Sequence, residues 1–147
     1  MIEQGSGHVV NIASIYGNQP VVGAAVYGAS KAAVAFMSEA LRQESRGAIK
    51  VTVVRPTGVP DTGLGSGVIN RAAVIGIVGH NSADYAEAMA AFTGDDPPAH
   101  LASPDSPGYA RLAPELLAEQ ILYAIDQPWG VNISDITVRA TGDHYII

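Results

Sequence analysis

Three residues of this sequence, Ser14, Tyr27 and Lys31, have the types and the spacing of a site that moves protons. Tyr27 and Lys31 are four residues apart, so on a helix their side chains lie on the same face. An ammonium beside a phenol stabilises the phenolate, which would make Tyr27 a general acid or base. Ser14 could meanwhile hold the oxygen of a carbonyl or an alkoxide. These residues predict acid–base chemistry at a carbonyl or alcohol group.

The elements around these residues predict that they meet at one edge of a parallel sheet. Residues 8–13 form a continuous β-branched run, which predicts a strand buried on both faces, and Ser14 follows its carboxyl end. Residues 25–46 have the apolar spacing and the alanine content of a long helix. Residues 50–55 predict a second buried strand. Because open α/β sheets bind ligands beyond the carboxyl ends of their strands, we expect the site there. The apolar stripe of the predicted helix comprises Val26, Ser30, Ala33, Val34, Met37 and Leu41.

The second half of the sequence predicts a long excursion and then a return to the sheet. Its predicted elements are helices over about 67–78, 82–92 and 114–126, a loop over 99–110 and a strand over 133–140. An excursion as long as residues 63–113 is more often a functional lid than an idle connection. Leu64, Val68 and Ile69 would form the apolar side of this lid.

The composition excludes several classes of protein. The chain has 147 residues, is 48% hydrophobic and carries no cysteine, so it is neither disordered nor held by disulfides, and a reducing cytoplasm suits it. Four scattered histidines predict no metal site. A net charge of −6 argues against a nucleic-acid partner. The sequence shows neither a signal peptide nor an apolar run long enough to cross a membrane.

Three stretches of the sequence resemble the short-chain dehydrogenase/reductase family. They are Asn11-Ile12-Ala13-Ser14, Tyr27-Gly28-Ala29-Ser30-Lys31 and Arg55-Pro56-Thr57-Gly58-Val59-Pro60-Asp61-Thr62. The resemblance covers roughly residues 5–62 and implies an α/β fold with a partial Rossmann-like, doubly wound parallel sheet. It implies that Tyr27 donates or accepts the proton and that Ser14 orients the carbonyl. Lys31 would stabilise the Tyr27 phenolate and hydrogen-bond the nicotinamide ribose.

The resemblance also implies a nicotinamide cofactor, NAD or NADP, and a small carbonyl or alcohol substrate. The residues implied to contact the cofactor are Tyr27, Lys31, Pro56, Gly58, Val59 and Thr62. We expect Tyr16, Leu64 and Val68 to contact the substrate. Thr57 stands between Pro56 and Gly58, where family members usually read Pro-Gly, so this turn departs from the family pattern. Members of the family usually form homodimers or homotetramers.

The glycine-rich phosphate turn with which the family opens has no counterpart in this sequence. The segment Gly63-Leu64-Gly65-Ser66-Gly67 follows a loop rather than a strand, so we interpret it as a hinge of the lid. We therefore interpret residues 1–147 as the C-terminal part of a dehydrogenase domain, without the N-terminal cofactor-binding half. Two alternatives stay open: a catalytically silent fragment that acts at most through association, and a sugar-nucleotide epimerase or dehydratase with the same Tyr-x-x-x-Lys motif.

Four further residues attract attention but favour ordinary structural roles. Asp95 and Asp96 could form a paired-carboxylate site, yet the neighbouring prolines favour a solvated loop tip. His144 could line a cleft, but a single histidine is more often structural or solvated. Trp129 is expected to anchor packing or a subunit interface.

Overall fold

The computed structural model describes residue 1, residues 3–94 and residues 96–147, so Asp95 lies outside the described residues. The strands are β1 (His8–Ile12), β2 (Lys50–Pro56) and β3 (Asp135–Val138). The helices are α1 (Ala25–Glu44), α2 (Ala72–Val78), α3 (Ser82–Ala91), α4 (Ala99–Ala102) and α5 (Pro114–Ile125). Short 3₁₀ turns span Ile15–Gly17, Gly65–Gly67 and Gly79–Asn81.

The strands form a parallel sheet in the order β1-β2-β3, with Val9 opposite Val51 and Val54 opposite Ile136. This arrangement confirms the predicted α/β fold. Strand β2 is buried from Lys50 to Val54 because it lies between two other strands and under helices.

Helices cover both faces of β2. Val51 and Val53 line a groove together with Ser38 of α1. Successive side chains of a strand point to opposite faces, and the ammonium of Lys50 donates to the carbonyl of Gln127, just after α5. Helices α1 and α5 therefore flank the sheet on opposite sides, as in a doubly wound domain.

Strand β1 differs from the prediction that it is buried on both faces. Its residues are half-buried and Ile12 is exposed, because β1 lies at the edge of the sheet. The backbone N–H of Ala13 donates to Val54 on β2, and parallel strands alternate the direction of their hydrogen-bonding groups. The N–H and C=O groups of Val10 and Ile12 consequently point away from β2. Within the described part of the chain, no strand pairs with this open edge.

The apolar stripe of α1 lies largely in solvent. Val26 is 86% exposed and Met37 is 61% exposed, and Phe36 beside them is 79% exposed. Of the stripe, Val34 and Leu41 are half-buried. The buried side of α1 is instead centred on Ser38, because two strands of the sheet lie beneath the helix on one side only.

The second half of the chain forms more helices than predicted. Helix α2 begins at Ala72 rather than near residue 67, and α4 lies inside the predicted loop over 99–110. The final strand is shorter than the predicted 133–140. The C-terminal Tyr145 and Ile147 fold back onto the main apolar cluster, whose buried members are Ile15, Val21, Ala24, Ile77 and Val78.

Candidate active site

Ser14 lies immediately beyond β1 and begins the 3₁₀ turn Ile15–Gly17. Its hydroxyl oxygen accepts the backbone N–H of Tyr16 at 3.3 Å, and the residue is buried. A serine at this position is a common cap because its side chain satisfies an amide that has no partner within the turn. The hydroxyl proton of Ser14 stays available, since this hydrogen bond uses the oxygen only as an acceptor.

Tyr27 and Lys31 lie on consecutive turns at the N-terminal end of α1. The Lys31 nitrogen is 5.7 Å from the centre of the Tyr27 ring and donates a hydrogen bond to the carbonyl of Ile12 at 3.0 Å. The Tyr27 ring meets the Tyr16 ring edge to face, with centroids 5.3 Å apart. The predicted pair therefore shares one helix face, as its spacing requires.

A close backbone approach holds the Ser14 turn against α1. A Cβ atom on Gly17 would lie 2.9 Å from the backbone nitrogen of Ala32 and 2.9 Å from the carbonyl carbon of Lys31. Real Cβ atoms do not approach backbone so closely, so the absence of a side chain at Gly17 allows this contact. The approach brings the end of β1 next to the helix that carries Tyr27.

Tyr16 connects the same turn to α2. Its hydroxyl donates to the carbonyl of Ala73 at 3.1 Å. Burial, followed by the neighbouring Tyr27 and Tyr85, raises the pKa of Tyr16 to about 12. Tyr16 therefore keeps its proton near neutral pH and remains a hydrogen-bond donor to α2.

The turn after β2 forms one wall of the site. The hydroxyl of Thr62 donates to the carbonyl of Val59 at 3.0 Å, which closes the turn. Asp61 in this turn has a left-handed backbone with φ of 61°, a conformation that non-glycine residues seldom adopt. Gly58 contacts the hydroxyl of Tyr145, where a Cβ atom would overlap it.

A cavity of about 1620 Å³ joins these parts of the structure. The predicted residues that line it are Ser14, Tyr16, Tyr27, Gly58, Val59, Thr62, Leu64 and Val68. Two predicted cofactor residues are placed differently: Pro56 pairs with Val138 in the sheet, and the Lys31 ammonium bonds to β1. The volume exceeds that of most single-ligand sites, so it has room for two ligands side by side.

Further lining residues of the cavity come from the second half of the chain, and of these the sequence analysis considered only His144 as a cleft residue. They are Tyr85, Met89, Phe92, Arg111, His144 and Tyr145. The first three are spaced by four and three residues on and just after α3, so their helical periodicity was a usable signal. His144 and Tyr145 carry no such signal, because the C-terminal segment reaches the cavity only through the fold.

Neither a metal centre nor a membrane helix is found in residues 3–94 and 96–147. In these residues no three histidine, cysteine, aspartate or glutamate side chains cluster. No helix of this part of the chain has the length and apolarity to cross a bilayer.

Comparisons with known proteins identify similar sequences and structures. Residues 1–71 match the family model described as short chain dehydrogenase. An uncharacterized oxidoreductase of Staphylococcus aureus is 32% identical over 140 residues, which cover 95% of this chain and 45% of that protein. The chain thus spans about half the length of the curated relatives it matches.

Two solved structures are similar over almost the whole chain. The closed form of serine dehydrogenase with NADP+ has a TM-score of 0.69 and 27% identity, over 99% of this chain and 49% of that one. A variant of actinorhodin polyketide ketoreductase with NADPH has a TM-score of 0.62 and 29% identity, over 99% of this chain and 50% of that one. Residues 1–71 thus resemble the short-chain dehydrogenase family, and the similarity to these two structures extends over almost the whole chain.

Proposed function

We propose that the chain is the substrate-side part of a nicotinamide-dependent oxidoreductase that interconverts an alcohol and a carbonyl compound. The observation that carries this proposal is the meeting of Ser14 and Tyr27 in one cavity, with the Lys31 ammonium one helical turn from Tyr27. The names of the similar proteins, an oxidoreductase, a serine dehydrogenase and a polyketide ketoreductase, support it.

Proton transfer is the part of the reaction that these residues perform. In the oxidation direction the Tyr27 phenolate takes the hydroxyl proton of the alcohol, and in reduction the phenol returns it to the carbonyl oxygen. The free proton of the Ser14 hydroxyl donates to the same substrate oxygen and orients it. The positive charge of Lys31 stabilises the Tyr27 phenolate. The nicotinamide, when bound, supplies or accepts the hydride with its two electrons.

The cavity suits the nicotinamide end of NAD or NADP beside a substrate. Gly58, Val59 and Thr62 would contact the cofactor, since they form the wall beyond the carboxyl end of β2. The Thr57 hydroxyl in the same wall is buried without a hydrogen-bond partner in the described part of the chain. A polar group of a ligand would satisfy it.

Residues 63–113 would act as the substrate lid. Leu64 and Val68 from the start of this segment and Phe92 from its middle line the cavity. Tyr16 stands between the proposed proton-transfer site and the lid, bonded to Ala73 of α2. An apolar segment that covers the site would exclude water during transfer.

The test combines cofactor titration with turnover. NADPH and NADH fluorescence is titrated with the 147-residue chain, and alcohol oxidation is followed for the wild type, Tyr27→Phe and Tyr123→Phe. Tyr123 is 59% exposed on α5 and serves as the matched control. We expect Tyr27→Phe to lose turnover by about 10²-fold or more while it keeps the cofactor affinity of the wild type. Undiminished turnover of Tyr27→Phe would refute the role of Tyr27.

A second candidate is a silent fragment that keeps these residues but acts through association. The open edge of β1 and the exposed apolar residues of α1 favour it, because unpaired strand edges and apolar patches bind other chains. It predicts that the 147-residue chain binds NADPH and NADH poorly. Micromolar affinity in the same titration would exclude this candidate.

A further inference from the structure

We propose that Arg111 anchors a carboxylate of the substrate, so that the proposed oxidoreductase acts on hydroxy acids or oxo acids. This inference rests on the function proposed above and names the substrate class of the same cavity. Arg111 lines the cavity that Ser14 and Tyr27 also line. Among its described lining residues, Arg111 is the one side chain with a permanent positive charge.

The surroundings of Arg111 orient its guanidinium without using its donors. The guanidinium carbon lies 4.7 Å from the centre of the Phe92 ring, which is stacking distance. Within residues 3–94 and 96–147, no hydrogen bond from this guanidinium is formed. Arg55 and Arg139 differ, because each donates two hydrogen bonds to the carboxylate of a nearby aspartate. Arg111 therefore retains the planar fork that binds a carboxylate with two parallel bonds.

Within the described part of the chain, the nearest acidic side chain to Arg111 is too far away to form a hydrogen bond with it. An oxygen of Asp61 lies 3.9 Å from a guanidinium nitrogen, beyond hydrogen-bond length, and the Asp61 side chain is 84% exposed. Asp61 is also the residue with the strained left-handed backbone in the turn after β2. An incoming carboxylate would meet the guanidinium at hydrogen-bond distance and would compete with Asp61 for its charge.

The positive charge of Arg111 belongs to a chain that is negatively charged as a whole. The net charge is −6, so the chain as a whole does not attract an anionic ligand. Met89, Phe92 and Tyr85 from the α3 segment line the same cavity and give it apolar surface. The Arg111 side chain is 30% exposed, so a ligand in the cavity can reach its guanidinium. The arrangement thus suits a ligand with one anionic end and an alcohol or carbonyl at the other.

The test measures binding and needs no turnover. The ligands are 3-hydroxybutyrate and its methyl ester, which differ in the charge of the carboxyl group. Each is titrated into the ¹⁵N-labelled 147-residue chain and followed by NMR shift changes, with and without NADPH. The variants are Arg111→Gln, Asp61→Asn and the control Arg46→Gln, whose arginine is exposed in the turn after α1. Asn suits the left-handed backbone at position 61, so Asp61→Asn keeps the turn.

Opposite effects of the two cavity variants are the expected signature. The wild type and Arg46→Gln should bind the acid about tenfold or more tightly than the ester, and Arg111→Gln should lose this preference. Asp61→Asn should strengthen acid binding, because it removes the competing carboxylate. Equal binding of acid and ester by the wild type, no binding of either, or weaker acid binding by Asp61→Asn would overturn the proposal.

Two further outcomes separate this inference from its foundations. If Arg111→Gln weakens NADPH binding and leaves acid binding unchanged, the guanidinium serves the cofactor and the proposal is wrong. If the preference for the acid depends on Arg111 while Tyr27→Phe keeps full turnover, the anchor stands and the role of Tyr27 fails. Turnover that depends on Tyr27 without any preference for the acid would leave the proposed function standing and remove the anchor.

Discussion

The ammonium of Lys31 donates a hydrogen bond to the main-chain carbonyl of Ile12 at 3.0 Å. This bond ties the helix that carries Tyr27 to the strand that ends at Ser14. The Ile12 carbonyl points toward the open edge of β1, where the sheet offers it no N–H group in the described residues. Lys31 therefore satisfies a strand carbonyl while its charge stays 5.7 Å from the Tyr27 ring centre.

Replacing Lys31 by Met should remove two interactions from the site. The Ile12 carbonyl loses its donor, and the phenolate of Tyr27 loses the nearby positive charge. We expect alcohol oxidation to fall by about 10²-fold or more. Steady-state kinetics at saturating cofactor would measure this, with Arg46→Gln as the control for loss of one positive charge. A Lys31→Met rate equal to that of the control would contradict the role of the ammonium.

Replacing Gly17 by Ala should destabilise the fold. The added methyl would lie 2.9 Å from backbone atoms of α1, which cannot yield as a flexible side chain would. We expect a loss of about 1–3 kcal/mol in the free energy of unfolding, measured by urea denaturation. Gly67→Ala is the control, because no atom lies within 4 Å of a Cβ at that position. Equal stability of the two variants would show that the turn moves without cost.

Replacing Tyr16 by Phe should alter the response to alkali. The pKa of Tyr16 is raised to about 12 in the folded chain, whereas an unfolded tyrosine ionises near ~10. The unfolded chain therefore loses this proton first, and the stability from Tyr16 declines as the pH rises from about 10 to about 12. At neutral pH the lost bond to Ala73 should cost about 1 kcal/mol.

Denaturation curves between neutral pH and pH about 12 test this expectation for Tyr16. The stability of Tyr16→Phe should fall less steeply over the alkaline range than that of the wild type. Tyr123→Phe, at an exposed position of α5, should follow the wild type. Parallel curves for all three proteins would show that Tyr16 ionises alike in the folded and unfolded chains.

Replacing His8 by Gln should alter the response to acid. Burial and then the nearby charge of Lys50 lower the pKa of His8 below its ordinary value of 6.5. The unfolded chain binds the proton first as the pH falls, so the wild type loses stability below pH 6.5. Gln keeps an N–H donor for the Thr52 hydroxyl, which lies 2.7 Å from His8.

Thermal unfolding between pH about 5 and about 7.5 measures the effect at His8. The midpoint of His8→Gln should change less over this range than the midpoint of the wild type. His100→Gln provides the control, because His100 is exposed. A pH dependence of His8→Gln as steep as that of the control would contradict the expectation.

The sequence was most informative where contacts are local. The pairing of Tyr27 with Lys31 follows from helical spacing, and the position of Ser14 follows from the end of a strand. It was misleading at β1, whose apolar run predicts burial on both faces although the strand lies at the sheet edge. A β-branched apolar run shows that a strand is able to bury both of its faces. The strands and helices that pack beside it decide which of its residues are buried.

The sequence by itself determined the α/β class, the helix with Tyr27 and Lys31, and the strand that delivers Ser14. These follow from periodicity and turn residues, which act over a few positions. Only the tertiary structure decided which distant residues complete the lining of the cavity. Arg111 and Tyr145 reach it across more than 80 residues from Tyr27, through the folding of the second half over the sheet. Such contacts depend on the packing of whole elements, which no local pattern encodes.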